Sequence, residues 1–164
     1  MTPPSTEGAS RALRRDEPHP TAVRSGRSTA ARRPELLFAD DEDEIRALVV
    51  LALQRNYRVT TAVDAREARA LILADPDRFD VVLTDWNMPG GGGLELIAWI
   101  EARCPRLSTR IGLVTGSGLE SQEDAAVRRL GVPCLFKPFT LVELRSLAAT
   151  LAGGIGTRTQ QESE

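Results

Sequence analysis

Short apolar runs alternate with longer amphipathic stretches between Glu35 and Leu151. The runs read LLFAD, YRVTTAV, DVVLTD, RIGLVT and CLFK. Each has the length of a strand, and each is followed by a stretch long enough for a helix. Strands that alternate with helices in this way are typical of a parallel sheet that is covered on both faces. The pattern therefore predicts an α/β domain with five strands.

The stretches after the runs carry helix signals. After the first run, apolar residues recur with the spacing of one helical face: Ile45, Leu48, Val49, Ala52 and Leu53. After the second run, Asp64 stands three residues before Glu67, which predicts an N-cap for the helix AREARALILA. Thr140 and Glu143 have the spacing of a capping box for the last helix. The stretches LELIAWIEARC and EDAAVRRL supply the third and fourth helices.

Polar residues stand at the carboxyl ends of four runs: Asp40 and Asp41, Asp85, Thr115 and Lys137. Ligands of open parallel sheets bind beyond these ends, so we expect the five side chains to converge. Three clustered carboxylates repel one another unless a hard cation such as Mg²⁺ binds them. A cation, a lysine and a hydroxyl around one carboxylate would suit a phosphoryl group. The sequence thus predicts that Asp85 is a nucleophile that forms an aspartyl phosphate.

Two single residues sharpen this hypothesis. Lys137 is the only lysine among 21 basic residues, which indicates a task for which the planar fork of arginine is a poor substitute. The only histidine, His19, lies in the N-terminal segment. Serine–histidine and cysteine–histidine catalysis are therefore excluded from the folded domain. The predicted folded domain also contains no histidine that could carry a phosphoryl group.

Composition divides the chain into three parts. Residues 1–34 contain seven arginines, three acids and hardly any large apolar residue, so they are predicted to be a disordered arm. Removing them from the totals of 21 basic and 23 acidic residues leaves a net charge of about −6 for the rest. Residues 35–151 are the predicted domain. Residues 152–164 are predicted to be a disordered C-terminal tail. The arm lacks a recognition motif, and nucleic-acid binding is not expected.

No apolar stretch approaches the roughly 18 to 20 residues of a membrane-spanning helix, and no secretory signal pattern is visible. Cys104 and Cys134 are the only cysteines and do not have metal-ligand spacing. A cytoplasmic protein without a membrane span is therefore expected.

Four segments, FADDEDEIR, LTDWNMPGGGGLEL, LVTGS and CLFKPFT, resemble those of response-regulator receiver domains of two-component signalling, and the second and fourth are similar to chemotaxis regulators. The resemblance covers Glu35 to about Leu151. It implies a flavodoxin-like fold with a parallel sheet in the order 2-1-3-4-5 and five flanking helices. It also implies phosphorylation by a histidine kinase or histidine phosphotransfer protein and an unidentified protein target. Such a domain is not an enzyme beyond its own aspartyl phosphorylation and dephosphorylation.

The resemblance assigns site roles residue by residue. Asp85 would be the phosphoacceptor. Asp41, Asp85 and the backbone carbonyl of Asn87 would be direct Mg²⁺ ligands, and Asp40 would act through a metal-bound water.

The resemblance also assigns the remaining polar groups. Lys137 would contact the phosphoryl group or its acceptor, and Thr115 would hydrogen-bond the phosphoryl oxygen. A cis peptide between Lys137 and Pro138 is implied as well. Gly91 and Gly92 depart from the family pattern, which predicts a mobile loop because glycine adds backbone freedom. Trp86 is expected to be half exposed beside the site.

Two other interpretations stay open. A receiver that has lost phosphorylation could act only as a binding module, although the acceptor, the acidic pair and the lysine are all retained. Haloacid-dehalogenase-like phosphatases also carry an Asp-x-Asp pair after the first strand, which would make Asp41 the nucleophile. That interpretation leaves Asp85 unexplained and finds no later acidic pair for a cation.

Overall fold

The computed structural model describes residues 32–89, 91–116, 127 and 129–153. Five strands have these bounds: β1 Glu35–Ala39, β2 Arg58–Ala62, β3 Val81–Thr84, β4 Ile111–Gly116 and β5 Cys134–Lys137. They form one parallel sheet in the order β2-β1-β3-β4-β5. The predicted α/β class and strand order are confirmed.

Five helices accompany the sheet in the described residues: α1 Asp43–Leu53, α2 Ala65–Ala74, α3 Gly93–Arg103, α4 Pro105–Ser108 and α5 Leu141–Ala152. None of them is both long and apolar enough to cross a bilayer. The one-turn α4 was not predicted. The helix predicted at EDAAVRRL falls mostly outside the described residues, although Val127, Arg129 and Leu130 have helical backbone.

The two predicted capping signals are confirmed. The carboxylate of Asp64 accepts a hydrogen bond from the Glu67 backbone at the start of α2. At the start of α5, Thr140 and Glu143 form both bonds of the capping box. Each cap satisfies backbone N–H groups that a helix end leaves without partners.

The core lies on both faces of the sheet. Leu36 and Phe38 pack with α1 and α5 on one face, whereas Leu37 and Ala39 pack with α2 and α3 on the other. All four side chains are fully buried. Burying a large apolar side chain stabilises the fold by about 1.5 to 3 kcal/mol. Coverage on both faces explains why the strand runs are continuously apolar.

A network of arginines and buried acids holds the edge of the sheet where the strands begin. Arg32 lies 3.1 Å from Asp80, and Glu35 lies 3.6 Å from Arg58 and 3.8 Å from Arg78. Arg32 belongs to the segment predicted as the arm, so the end of that segment contacts the sheet. Residues 1–31 and 154–164 lie outside the described residues, and the predicted arm and tail stay predictions.

We expect Thr140→Ala to lower the free energy of unfolding by about 1 kcal/mol, because the capping box loses its hydroxyl. Urea melts would measure this. Thr150→Ala is the matched control, since Thr150 is exposed within the same helix and its hydroxyl donates to the Ser146 carbonyl instead of capping the helix start. Equal losses in the two variants would contradict a capping contribution.

Candidate functional site

The strand register brings two of the predicted acids together. Ala39 of β1 pairs with Thr84 of β3, so Asp40 and Asp85 follow at the same level of neighbouring strands. The Asp85 backbone N–H donates to the Ala39 carbonyl at 2.8 Å. Lys137 ends β5 at the same edge of the sheet. The carboxyl edge therefore holds Asp40, Asp85 and Lys137 together.

The Lys137 ammonium joins this edge. Its Nζ lies 2.8 Å from Asp40 Oδ2, 3.2 Å from Asp85 Oδ1 and 3.0 Å from Glu42 Oε1. The peptide between Lys137 and Pro138 is cis, as predicted. Glu42 was not predicted from the sequence to be a site residue. Its position directly after the acidic pair was the available signal, but acids at the start of a helix usually act only on its dipole.

Charge and burial oppose each other at this site. Burial would lower the pKa of Lys137, but hydrogen bonds to Asp40 and Glu42 and the charge of Asp85 outweigh burial and raise it above its usual value. Burial raises the pKa of Asp85, and the negative charge of Asp40 raises it further. The positive charge of Lys137 lowers this pKa but only partly offsets the rise. Lys137 is thus a cation beside the Asp85 carboxylate, whose charged form burial disfavours.

The other predicted residues differ in their surroundings. Asp41 is exposed and forms no hydrogen bond or ion pair with any described residue. Asn87 donates its backbone N–H to Asp85 Oδ2 at 2.7 Å. Thr115 is fully buried, and its Oγ1 has no hydrogen-bond partner among the described residues. A buried hydroxyl without a partner is costly and often marks a functional position.

The loop after Asp85 depends on small residues. Gly91 has φ +111°, a conformation that favours glycine. A Cβ on Gly92 would lie 2.4 Å from the Trp86 carbonyl oxygen, and one on Gly93 would lie 2.3 Å from the Asp85 carbonyl oxygen. Gly92 and Gly93 allow α3 to approach the backbone of Asp85 and Trp86 closely. The predicted mobility of the loop stays a prediction. The expected half exposure of Trp86 is wrong, because this residue is 8% exposed and packs in the core.

Fold and site together define a doubly wound α/β domain with an acidic, lysine-containing site at its carboxyl edge. The sequence matches the family model of the response regulator receiver domain over residues 36–149. The chain belongs to this family, as its motifs indicated. Receiver domains serve in two-component signalling and are not, in general, enzymes acting on a separate substrate.

Named relatives and solved structures agree with this assignment. The chain is 36% identical over 119 residues to the response regulator protein PilR of Pseudomonas aeruginosa, covering 72% of this chain and 26% of PilR. The receiver protein structure from Pseudomonas putida has a TM-score of 0.62 at 33% identity, with coverages of 73% and 98%. The chemotaxis protein CheY4 of Vibrio cholerae has a TM-score of 0.64 at 29% identity, with coverages of 73% and 99%. The chain thus spans about a quarter of PilR but nearly all of these two structures.

We expect Gly93→Ala to lower the free energy of unfolding by roughly 1 to 3 kcal/mol, because the new Cβ would force the backbone of Asp85 away from α3. Thermal melts would measure the loss. Gly153→Ala is the control, since a Cβ there meets nothing within 4 Å. A Gly93→Ala protein as stable as the control would contradict the close approach.

We expect Asp85→Asn to raise the melting temperature of the metal-free protein by a few degrees at neutral pH. The folded protein holds the Asp85 proton more tightly than the unfolded chain, so wild-type stability falls as the pH rises from 3.8 through the raised pKa. The advantage of Asp85→Asn should therefore shrink as the pH falls to 3.8. Melts in EDTA at a series of pH values would measure it.

Asp80→Asn is the contrasting variant for that experiment. Asp80 is also buried, but it accepts a hydrogen bond from the Glu35 backbone and pairs with Arg32. Its neutralisation should destabilise the protein at neutral pH, because it leaves these donors with a weaker acceptor. A loss of stability in Asp85→Asn at neutral pH would contradict the first expectation.

Proposed function

We propose that this domain accepts a phosphoryl group on Asp85 from a histidine kinase or a histidine phosphotransfer protein, with Mg²⁺, and passes the signal to a protein partner. The observation that carries the proposal is the Lys137 ammonium, 3.2 Å from Asp85 Oδ1 and 2.8 Å from Asp40 Oδ2. A lysine in this place supplies a positive charge and donors where phosphoryl oxygens would arrive.

The transfer itself is a displacement at phosphorus. An oxygen of the Asp85 carboxylate forms the new bond to phosphorus, and the bond from phosphorus to the donor nitrogen breaks. The electron pair of that bond stays with the imidazole, which takes a proton from water. With acetyl phosphate, a phosphorus–oxygen bond breaks and acetate leaves as the anion. Asp85 is held for this step by the Asn87 backbone N–H on its Oδ2, which leaves Oδ1 on the side of Lys137.

The residues fit a Mg²⁺ ion. The two side chains proposed as direct ligands, Asp41 and Asp85, and the carbonyl of Asn87 supply oxygen atoms, which Mg²⁺ prefers. Three carboxylates, Asp40, Glu42 and Asp85, contact one ammonium, and Asp41 adds a fourth between Asp40 and Glu42 in the sequence, which leaves an excess of negative charge for a cation. Within the described residues, no group of three or more His, Cys, Asp or Glu side chains is placed to hold a metal ion. The proposed site needs only two such side chains, because the third protein ligand is a backbone carbonyl. When bound, the ion would neutralise charge on the transferring phosphoryl group.

Thr115 supplies the remaining donor in the proposal. Its Oγ1 is buried without a partner among the described residues, and a phosphoryl oxygen on Asp85 would provide an acceptor for the hydroxyl. The gain would favour the phosphorylated state over the unphosphorylated one.

These contacts support Asp85 over Asp41 as the nucleophile. Lys137 contacts Asp85 directly, whereas Asp41 is exposed and makes no contact with Lys137 in the described residues. The phosphatase alternative is therefore not favoured. The binding-module alternative would require that Asp85 fails to accept phosphate in spite of its neighbours.

We expect acetyl phosphate and Mg²⁺ to add one base-labile phosphoryl group to the protein and Asp85→Asn to abolish the addition. Intact-mass measurement at acid pH, where the acyl phosphate survives, would detect it. Asp64→Asn is the matched control, because asparagine caps a helix about as well as aspartate. Undiminished labelling of Asp85→Asn would refute the acceptor assignment. Chelation of Mg²⁺ should reduce labelling nearly as much as Asp85→Asn does.

A further inference from the structure

Three carboxylates share the single ammonium of Lys137. An ammonium has three donors. Here it forms hydrogen bonds to Asp40 and Glu42, and Asp85 Oδ1 lies 3.2 Å from the same nitrogen as an ion-pair partner. A phosphoryl oxygen that arrives at Asp85 therefore meets an ammonium that is already in contact with three carboxylates. One of the three contacts must weaken before the lysine can bind the phosphoryl group.

The burial of the three partners decides which contact weakens. The side chain of Asp40 is 0% exposed, and releasing it would leave a buried charge without its cation. Asp85 is the acceptor itself and stays beside the lysine. The side chain of Glu42 is 61% exposed, so water can solvate its carboxylate once the contact breaks. Glu42 is thus the partner that costs least to release.

The local backbone shows why Glu42 reaches Lys137. Glu42 occupies the N-cap position of α1, but its side chain does not cap the helix. Its backbone N–H instead donates to Asp40 Oδ1 at 2.9 Å, and its carboxylate turns to Lys137. Glutamate is also not among the residues preferred at an N-cap. The Glu42 side chain therefore pairs with Lys137 and does not cap the N-terminus of α1.

We propose that Glu42 is a positioning residue that competes with the incoming phosphoryl group for the Lys137 ammonium. It holds the lysine in the unphosphorylated site, and it is released when a phosphoryl oxygen takes its place. Its negative charge also opposes the approach of a phosphoryl group. Glu42 thereby lowers both the rate of phosphorylation and the affinity for phosphoryl analogues. This inference rests on the proposed function of Asp85.

We expect Glu42→Gln to bind beryllofluoride, in the presence of Mg²⁺, roughly two- to fivefold more tightly than the wild type, because an exposed ion pair contributes a modest energy. Labelling by acetyl phosphate should accelerate by a similar factor. Glu44→Gln is the matched control: Glu44 is an exposed acid in the first turn of the same helix and is not among the ion-pair partners of Lys137 in the described part of the chain. It removes the same charge without removing a partner of the lysine.

The lysine itself supplies a readout that does not depend on phosphorylation. Because Lys137 is the only lysine, isotope-labelled lysine gives a single side-chain signal in the magnetic resonance spectrum. In the free protein, this signal should move in Glu42→Gln and stay in place in Glu44→Gln. With beryllofluoride bound, the signals of the wild type and Glu42→Gln should converge, since Glu42 has then released the lysine.

The outcomes separate the two proposals. If the wild type binds beryllofluoride but Glu42→Gln and Glu44→Gln bind it equally well, the role of Glu42 is refuted and that of Asp85 stands. The release of Lys137 by Glu42 would also be refuted if the Lys137 signals of the wild type and Glu42→Gln differed as much with beryllofluoride bound as in the free protein. If the wild type takes up neither beryllofluoride nor phosphate, the proposed function itself fails. Thermal melts should show both glutamine variants folded at wild-type temperature within a few degrees.

Discussion

The contact of one ammonium with two buried carboxylates is the interaction on which the site depends. Asp40 and Asp85 are almost fully buried side by side, and two such anions would repel each other strongly without a cation. Lys137 supplies that cation from the far edge strand β5. The contact therefore requires a complete sheet, because Asp40, Asp85 and Lys137 come from three different strands.

The same surroundings make the charge of Asp85 sensitive to nearby cations. Burial raises the pKa of Asp85, so its carboxylate lies in surroundings that disfavour the negative charge. A nearby positive charge stabilises the charged form. The network at the opposite edge of the sheet differs. There the buried acids Glu35 and Asp80 are surrounded by several arginines, and their charges are balanced within the fold. At the carboxyl edge, by contrast, three carboxylates contact a single lysine.

Much of this could be predicted from local patterns. The continuous apolar runs, the cap at Asp64 and the capping box at Thr140 each depend on neighbours within four residues, so the elements they predicted are present. The resemblance added the strand order and the cis peptide at Pro138. The burial of Trp86 was missed because its neighbours in the core come from several elements distant in sequence. The close approach of Gly93 to Asp85 was missed because it depends on how the start of α3 packs against the backbone after β3, which no periodic pattern records.

The sequence by itself determined which residues stand at the strand ends, because the apolar runs mark where each strand stops. In a parallel sheet the carboxyl ends of all strands lie at the same edge, so these residues share that edge. Only the tertiary structure decided how Lys137 divides its contacts. Asp40, Asp41 and Glu42 are adjacent acids, yet the first is buried against the lysine, the second is exposed and without a contact among the described residues, and the third reaches the lysine from solvent. The direction of each side chain depends on the turn into α1 and on its distance from β5, which no local pattern contains.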